Sequence, residues 1–235
     1  TEAMMNHMRY AATIFGVTEQ TQAVVESLYL DYLEALNTHF EHYPYLLGWR
    51  PSVGDFGLVA PMYAHLGRDP HPAKLMQQRA VSVHRWVERM NRADQDVPEF
   101  FNAGTEFIDD DDVPQSLMAV LRILAEDFVP ETLAAADSIN GWLAENKPET
   151  GAPAVGRLAQ AVGTATFVLR GETIEALAQP HRFYLLQRVQ DDYASLSETE
   201  KSAVDGVLSK SGMTAILDAF LSRRIERADN LEVWV

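Results

Sequence analysis

Two histidines on one predicted helix are the residues of this sequence best spaced to hold a transition metal. His39 and His42 stand three positions apart, so both side chains can share one helix face. A zinc site would need a third ligand, for which His65 or His84 is available. Alternatively, His42 sits at a helix end, where an imidazolium favours the negative pole of the helix dipole. We favour this second interpretation and predict no metal.

A run of four aspartates at positions 109–112 is the other pattern that suggests a cation. It lacks the spaced oxygen ligands and the glycine of a calcium-binding loop. The run also comes directly before a predicted helix with Pro114 in its first turn, where acidic side chains match the helix dipole. We therefore expect the aspartates to serve the helix start.

The sequence offers few groups for covalent or cofactor chemistry. Cysteine is absent, which excludes a cysteine nucleophile, a thiolate metal site and a disulfide within these residues. No G-x-S-x-G motif, phosphate-binding loop or dinucleotide fingerprint is present. Four arginines in the second half (Arg157, Arg170, Arg182 and Arg188) are expected to form buried ion pairs with Asp191 or Asp192.

Charge and hydropathy narrow the classes of partner. The 235 residues carry a formal net charge of −15, and the 19 Lys and Arg residues are scattered. Phosphate backbones need clustered cations, so nucleic acid is excluded as a partner. No apolar run approaches the roughly 20 residues of a membrane span, and no signal peptide is recognisable, which leaves the cytoplasm as the default location.

Apolar periodicity predicts a mainly α-helical fold. Helical spacing covers residues 3–15, with Gly16 as the stop, followed by a longer helix that opens at Thr18 or Thr21 and is ended by Pro44. Further helices are expected at about 52–66, 73–91 (one interrupted helix or two), 114–128, 131–145, 180–196, 198–211 and 214–222. Period-two alternation at 164–169 and 231–235 adds a small β-hairpin or two-stranded sheet, and we expect these two segments to pair with each other.

The helix at 52–66 is the centre of the predicted fold. Ser52 and Asp55 are spaced as a capping box, in which each side chain accepts a hydrogen bond from the other residue's amide. We expect Asp55→Ala to cost about 0.5–2 kcal/mol, and more if the carboxylate is buried. Beyond the cap the helix is apolar nearly all round, which predicts burial in the middle of a bundle.

Together with the turn before it, this helix start resembles the α-helical C-terminal domain of the glutathione S-transferase superfamily. In that domain a glycine turn is followed by a Ser/Thr-x-x-Asp box and a buried helix. The matching residues here are Leu46, Leu47, Gly48, Ser52, Asp55 and Phe56, followed by Tyr63-Ala64-His65-Leu66 and Trp86-Val87-Glu88-Arg89-Met90. The resemblance implies a helical core at 1–91, a loop at 92–113, and a mostly helical C-terminal extension at 114–235 packed on the core.

The resemblance also implies a function. Family members bind glutathione mainly through a thioredoxin-like N-terminal domain, which also carries the activating residue. No segment of this chain matches that domain, and a chain that begins at Thr1 inside a helix is expected to be a fragment. The helical domain would then supply the wall for a small hydrophobic electrophile, formed by Met5, Met8, Arg9 and Ala12 of the first helix, in a cytoplasmic homodimer. Packing against the protein core is the alternative role of this helix face. Methionines suit a pocket that accepts varied apolar ligands. The rival hypothesis is a non-catalytic interaction or dimerisation module with the same fold.

Overall fold

A computed structural model describes residues 2–92, 97–156 and 161–235 of the chain. This part of the chain is mainly helical, which confirms the predicted class. Its helices are α1 (Glu2–Ile14), α2 (Gln22–Phe40), α3 (Val53–Ala64), α4 (Pro70–Arg79), α5 (Val81–Met90), α6 (Gln115–Asn146), α7 (Pro180–Ser195) and α8 (Glu198–Ser211). Its strands are β1 (Gly163–Leu169), β2 (Glu172–Ala178), β3 (Ile225–Ala228) and β4 (Leu231–Trp234), and 3₁₀ turns lie at Asp109–Asp111 and Thr214–Asp218.

The chain divides into two compact units. The middle unit is Ser27–Ile123, and the terminal unit combines the described residues of Thr1–Glu26 and Leu124–Val235. These units cut across the boundaries predicted at residues 91 and 113, and the predicted domains remain a prediction. In the part of the chain that the structure describes, no helix combines the length and the apolar character that a bilayer crossing needs.

The middle unit has its core between α2 and α5. Leu33, Leu36 and Phe40 of α2 are buried, as the apolar stripe of that helix predicts. The ring of Phe40 stacks on Trp86 of α5 with 5.0 Å between ring centroids. The segment at 73–91 forms two helices, because the backbone of Ala80 leaves the helical region (φ −141°, ψ 63°).

Helix α3 begins with the predicted capping box but is not buried all round, so that part of the prediction is wrong. Only Asp55 and Met62 of this helix are buried. On its outer side Val53 is 90% exposed, Phe56 61% and Tyr63 39%. Uniform apolar composition predicted full burial, whereas the residues described in the middle unit cover one side of the helix alone.

Helix α6 replaces the two helices predicted at 114–128 and 131–145. Pro130 lies inside it and removes one backbone donor, which interrupts most helices. Buried side chains continue past the proline, however, and the gain from burying Val129, Ala135 and Ile139 in the terminal unit offsets the missing hydrogen bond. The proline therefore does not end the helix.

The four strands form two separate hairpins, so the predicted pairing of 164–169 with 231–235 is wrong. β1 pairs antiparallel with β2, and β3 pairs antiparallel with β4. Two-residue turns connect each pair, Arg170-Gly171 (φ 50° and 90°) and Asp229-Asn230 (φ 48° and 62°). Positive φ at both turn residues matches the right-handed twist of the strands, which favours local pairing.

Helix α8 and the 3₁₀ turn that follows it lie near the C-terminal end of the described chain. Helix α8 begins with the expected capping box of Ser197 and Glu200, and it ends at Gly212 in a left-handed conformation (φ 79°). The predicted last helix at 214–222 is only the short 3₁₀ turn Thr214–Asp218.

Candidate functional site

Helix α1 carries the four residues predicted to form a ligand wall. Met5 is 54% exposed and Met8 45%, Arg9 is exposed, and Ala12 is half-buried. None of the α1 side chains whose burial the structure describes is fully buried. The helix therefore presents an uncovered surface, and the ligand role of these residues stays a prediction.

Arg9 is the one charged residue of the predicted wall. Its Nη1 donates to Asn6 Oδ1 at 3.3 Å, and its carbonyl accepts from the hydroxyl of Thr13 at 3.0 Å. No carboxylate among the described residues forms an ion pair with this guanidinium. An exposed cation without a counter-ion can attract an anionic group to the helix.

The C-terminal end of α1 is fixed against β2 by Gly16. This residue has φ +85°, and a Cβ there would lie 2.5 Å from Ile174 Cγ2 and 3.1 Å from the carbonyl oxygen of Glu175. Thr21 holds the following turn, since its hydroxyl donates to the carbonyl of Gly16 at 2.6 Å. Only glycine fits both the left-handed backbone and the close approach, which confirms the predicted stop.

A cavity of about 500 Å³ lies beside this junction. None of the four predicted residues contributes to it. Its lining offers hydroxyl, amide and one carboxylate group, which suits hydrogen bonding to a polar ligand more than apolar packing. The lining residues are Thr13, Ile14, Gly16, Thr18, Gln20, Thr21, Thr164, Thr173, Glu175, Ala176 and Leu177.

The buried carboxylate of Asp55 organises the middle unit. Its Oδ1 accepts from the amide of Leu46 and from Trp86 Nε1, both at 3.0 Å. Its Oδ2 accepts from the amide of Ser52 at 2.8 Å and from the Ser52 hydroxyl at 2.7 Å. Four donors saturate a carboxylate that is 0% exposed, so the group is structural and has no free lone pair facing a ligand.

Both ring nitrogens of His39, which we considered as a zinc ligand above, form hydrogen bonds within the protein. Nε2 lies 3.3 Å from the carbonyl oxygen of Tyr45, so it must carry the proton, and Nδ1 lies 2.9 Å from the hydroxyl of Ser116 and accepts from it. Burial lowers the pKa of His39 and keeps the ring neutral. No group of three His, Asp or Glu side chains within the described ranges is arranged to hold a metal ion.

The middle unit contains one buried cation that the sequence patterns did not reveal. Arg89 is 5% exposed, donates to the carbonyl of Pro44 at 2.8 Å and forms an ion pair with Glu99. Its guanidinium also lies 5.4 Å from the ring centre of Tyr45 and 5.9 Å from that of Phe100. It joins α5 to two loops, and no periodic signal marks such a long-range contact.

The predicted arginine pairs form with other partners. Arg170 pairs with Glu126, Arg182 with Glu131 and Arg188 with Glu226, while Asp191 pairs with Arg224. The pairs are partly exposed, so the prediction of buried pairs with Asp191 or Asp192 is wrong for these three, and Arg157 lies outside the described residues.

Asp127 of α6 is a carboxyl whose pKa is raised toward neutral pH. Burial, followed by the nearby charge of Glu131, raises its pKa from 3.8 to about 6, against an opposing effect of Arg182. The carboxyl therefore exchanges its proton close to physiological pH. Its spacing from Glu131, one helical turn along α6, is the only sequence signal of this pair.

No protein-family model, no curated protein and no solved structure matches this chain. The functional interpretation therefore depends on the residues and geometry described above, together with the resemblance carried by residues 46–56.

Proposed function

We propose that this chain is the helical domain of a glutathione S-transferase-like protein and contributes the hydrophobic wall for conjugation of glutathione to a small electrophile. The activating residue for the glutathione thiol would come from a thioredoxin-like domain that matches no segment of this chain. In such a protein the residues of the helical domain would hold the electrophile next to the thiolate and exclude water. Holding the two reactants close together accelerates the attack of the thiolate.

The observation that carries the proposal is the geometry of the Asp55 carboxylate. The capping box starts α3 as the resemblance requires, and the same carboxylate also binds the turn that precedes it through the amide of Leu46. A capping box alone is common in helical proteins. A box joined to a glycine turn on one side and to Trp86 on the other is a more specific arrangement.

The exposed side of α1 supports the location of the wall. Met5 and Met8 are large, flexible apolar side chains that lie open to solvent, where an apolar group of a ligand could cover both. A ligand with an apolar group would bury both residues and gain about 25 cal/mol per Å² of apolar surface removed from water.

Calorimetry on the full-length protein tests this proposal with two ligands, glutathione and an S-alkyl glutathione. We expect Met5→Ser and Met8→Ser to weaken the alkyl conjugate about tenfold each while leaving glutathione affinity unchanged. Tyr10→Ser is the matched control, because Tyr10 is 65% exposed and lies on roughly the opposite side of α1 from Met8. A protein that binds neither ligand would overturn the transferase assignment.

A non-catalytic interaction module is the second candidate, and the outer side of α3 favours it. Val53, Phe56 and Tyr63 form an exposed apolar surface, with intervals of one and two helical turns that place them on the same side of α3. Surfaces of this kind often mark protein interfaces. If the module hypothesis holds, Phe56→Ser should lower the oligomer mass measured by light scattering while leaving the binding of both glutathione ligands unchanged.

A further inference from the structure

A second concave surface of the terminal unit lies between α7, α8 and the 3₁₀ turn at Thr214–Asp218. Its volume is about 930 Å³. We call it the α7–α8 groove, and it is independent of the function proposed above. The groove is lined by Gln190, Asp191, Tyr193, Ala194, Glu198, Lys201, Asp205, Ser209, Thr214, Leu217, Asp218 and Phe220.

Two apolar residues of the α7–α8 groove, Phe220 and Leu217, lie on a backbone that is held in place; we call this pair the apolar floor. Phe220 is 59% exposed there, beside the half-buried Leu217. Gln190 fixes the backbone that carries them, because its Nε2 lies 3.3 Å from each of three carbonyl oxygens, those of Ile216, Leu217 and Ala219. An exposed aromatic ring on a fixed backbone loses little conformational entropy when a ligand covers it.

The lining of the groove is acidic. Four carboxylates and one ammonium, that of Lys201, give the described lining a net charge of −3. Asp191 is paired with Arg224, and Glu198 lies 3.6 Å from Lys201. Asp205 accepts only from the hydroxyl of Tyr193, at 2.7 Å, and neither Asp205 nor Asp218 has a cationic partner among the described residues.

From this combination we infer that the α7–α8 groove binds a basic peptide segment of a partner protein, with an aromatic or aliphatic side chain on Phe220 and Leu217 and lysine or arginine side chains at Asp205 and Asp218. Opposite charge on the two surfaces would speed encounter and set the register, while the covered apolar floor would supply most of the affinity. A second copy of this chain is a poor occupant, since its net charge of −15 opposes an acidic groove.

Fluorescence anisotropy with a short labelled peptide of alternating lysine and leucine or phenylalanine tests the inference on the full-length protein. A peptide with every lysine replaced by glutamate is the charge control. We expect the basic peptide to bind at least about tenfold more tightly than the acidic one, and added salt to weaken it, since screening reduces contacts between exposed charges.

Paired variants then locate the binding. Phe220→Ser, and separately the double change Asp205→Asn with Asp218→Asn, should each weaken the basic peptide by about tenfold or more. Asparagine at 205 still accepts from Tyr193, so the fold is preserved there. Val189→Ser, on an exposed part of α7 outside the groove, and Asp137→Asn, on an exposed part of α6, are the matched controls and should leave binding unchanged.

Three results would overturn the inference. They are equal affinity for the two peptides, unchanged affinity after both groove changes, and equal losses in the groove variants and their controls. Circular dichroism melts of each variant separate a lost site from a lost fold, and a variant that unfolds is replaced by Phe220→Leu, which keeps apolar volume but shortens the anchor and should weaken binding by a smaller factor.

Discussion

Helices α3 and α8 begin with the same capping box in very different surroundings. In α3 the Asp55 carboxylate is 0% exposed and also binds Leu46 and Trp86. In α8 the Glu200 carboxylate accepts only from the amide and the hydroxyl of Ser197, and it faces solvent. One sequence motif thus closes a helix end in α8 and organises a whole core in α3.

The local hydrogen bonds of a capping box therefore account for only part of what the box contributes to the free energy of unfolding. Solvent competes for the exposed box, so its net contribution is that of an ordinary cap. Water cannot replace the partners of Asp55, so their loss would leave buried donors unsatisfied. Substitutions at the two boxes should therefore differ in their cost to stability.

Asp55→Ala should lower the free energy of unfolding by about 3–4 kcal/mol, more than the range expected for a cap alone. The change leaves the indole N–H of Trp86 and the amides of Leu46 and Ser52 without their acceptor. Urea denaturation followed by circular dichroism measures the loss. A loss below about 1 kcal/mol would show that the buried box is worth no more than an exposed one.

Trp86→Phe should cost about 1–2 kcal/mol, because it removes one of the four donors to Asp55 and some buried volume. The phenyl ring of phenylalanine can still stack on Phe40, but it leaves a small cavity because the indole is fully buried. A double-mutant cycle with Asp55→Ala isolates the coupling between the two side chains, because alanine cannot accept from the indole N–H. Additive losses would indicate that the hydrogen bond contributes nothing.

Asp127→Asn should stabilise the protein by about 1–2 kcal/mol at neutral pH. Unlike Asp55 and Glu200, Asp127 has a carboxyl group that accepts no hydrogen bond from the described residues. Because its pKa is raised from 3.8 to about 6 on folding, the folded chain holds the proton more tightly between these values. Stability therefore falls as pH rises through this window and is constant above it.

Denaturation curves measured across that pH range test the Asp127 prediction. The asparagine variant should lack this fall in stability, while Asp137→Asn, on an exposed part of the same helix, should retain it. A wild-type stability that rises through the window would contradict the assigned direction.

Ser197→Ala should cost about 0.5–1 kcal/mol, the value of an exposed cap. The hydrogen bonds from Ser197 lower the pKa of Glu200. The ionised carboxylate therefore stabilises the folded chain above the ordinary pKa of glutamate, and this stabilisation is lost as pH falls through the lowered pKa. In the variant, the pKa of Glu200 measured by NMR titration should move back up toward the ordinary value. If the variant lost as much stability as Asp55→Ala, burial would not be the source of the difference.

Much of the secondary structure was predictable from local patterns, since its determinants lie within a few residues. Both capping boxes, the stop at Gly16, the left-handed Gly212 and the existence of strands near 164–169 and 231–235 follow from side-chain hydrogen bonds, backbone freedom and period-two alternation. The hairpin partners of those strands were missed, although Arg170-Gly171 and Asp229-Asn230 carried the turn signal.

The candidate site on α1 was predictable only as a helix face. The spacing of Met5, Met8 and Ala12 indicated that they could share a surface, and the structure shows Met5 and Met8 exposed and Ala12 half-buried. The cavity beside Gly16 escaped prediction, because it combines residues around position 18 with strands some 150 positions later along the chain. No local pattern records such a meeting of distant segments.

Residues close to each helix end account for the capping boxes and for the stops at Gly16 and Gly212, because the hydrogen bonds and the backbone conformation that form them lie within one turn. The packing of distant segments buries Asp55 and leaves Glu200 exposed, leaves Val53 and Phe56 facing outward, and allows α6 to continue through Pro130. The reason is that burial depends on segments far apart in the chain, and burial sets the strength of every polar interaction it encloses.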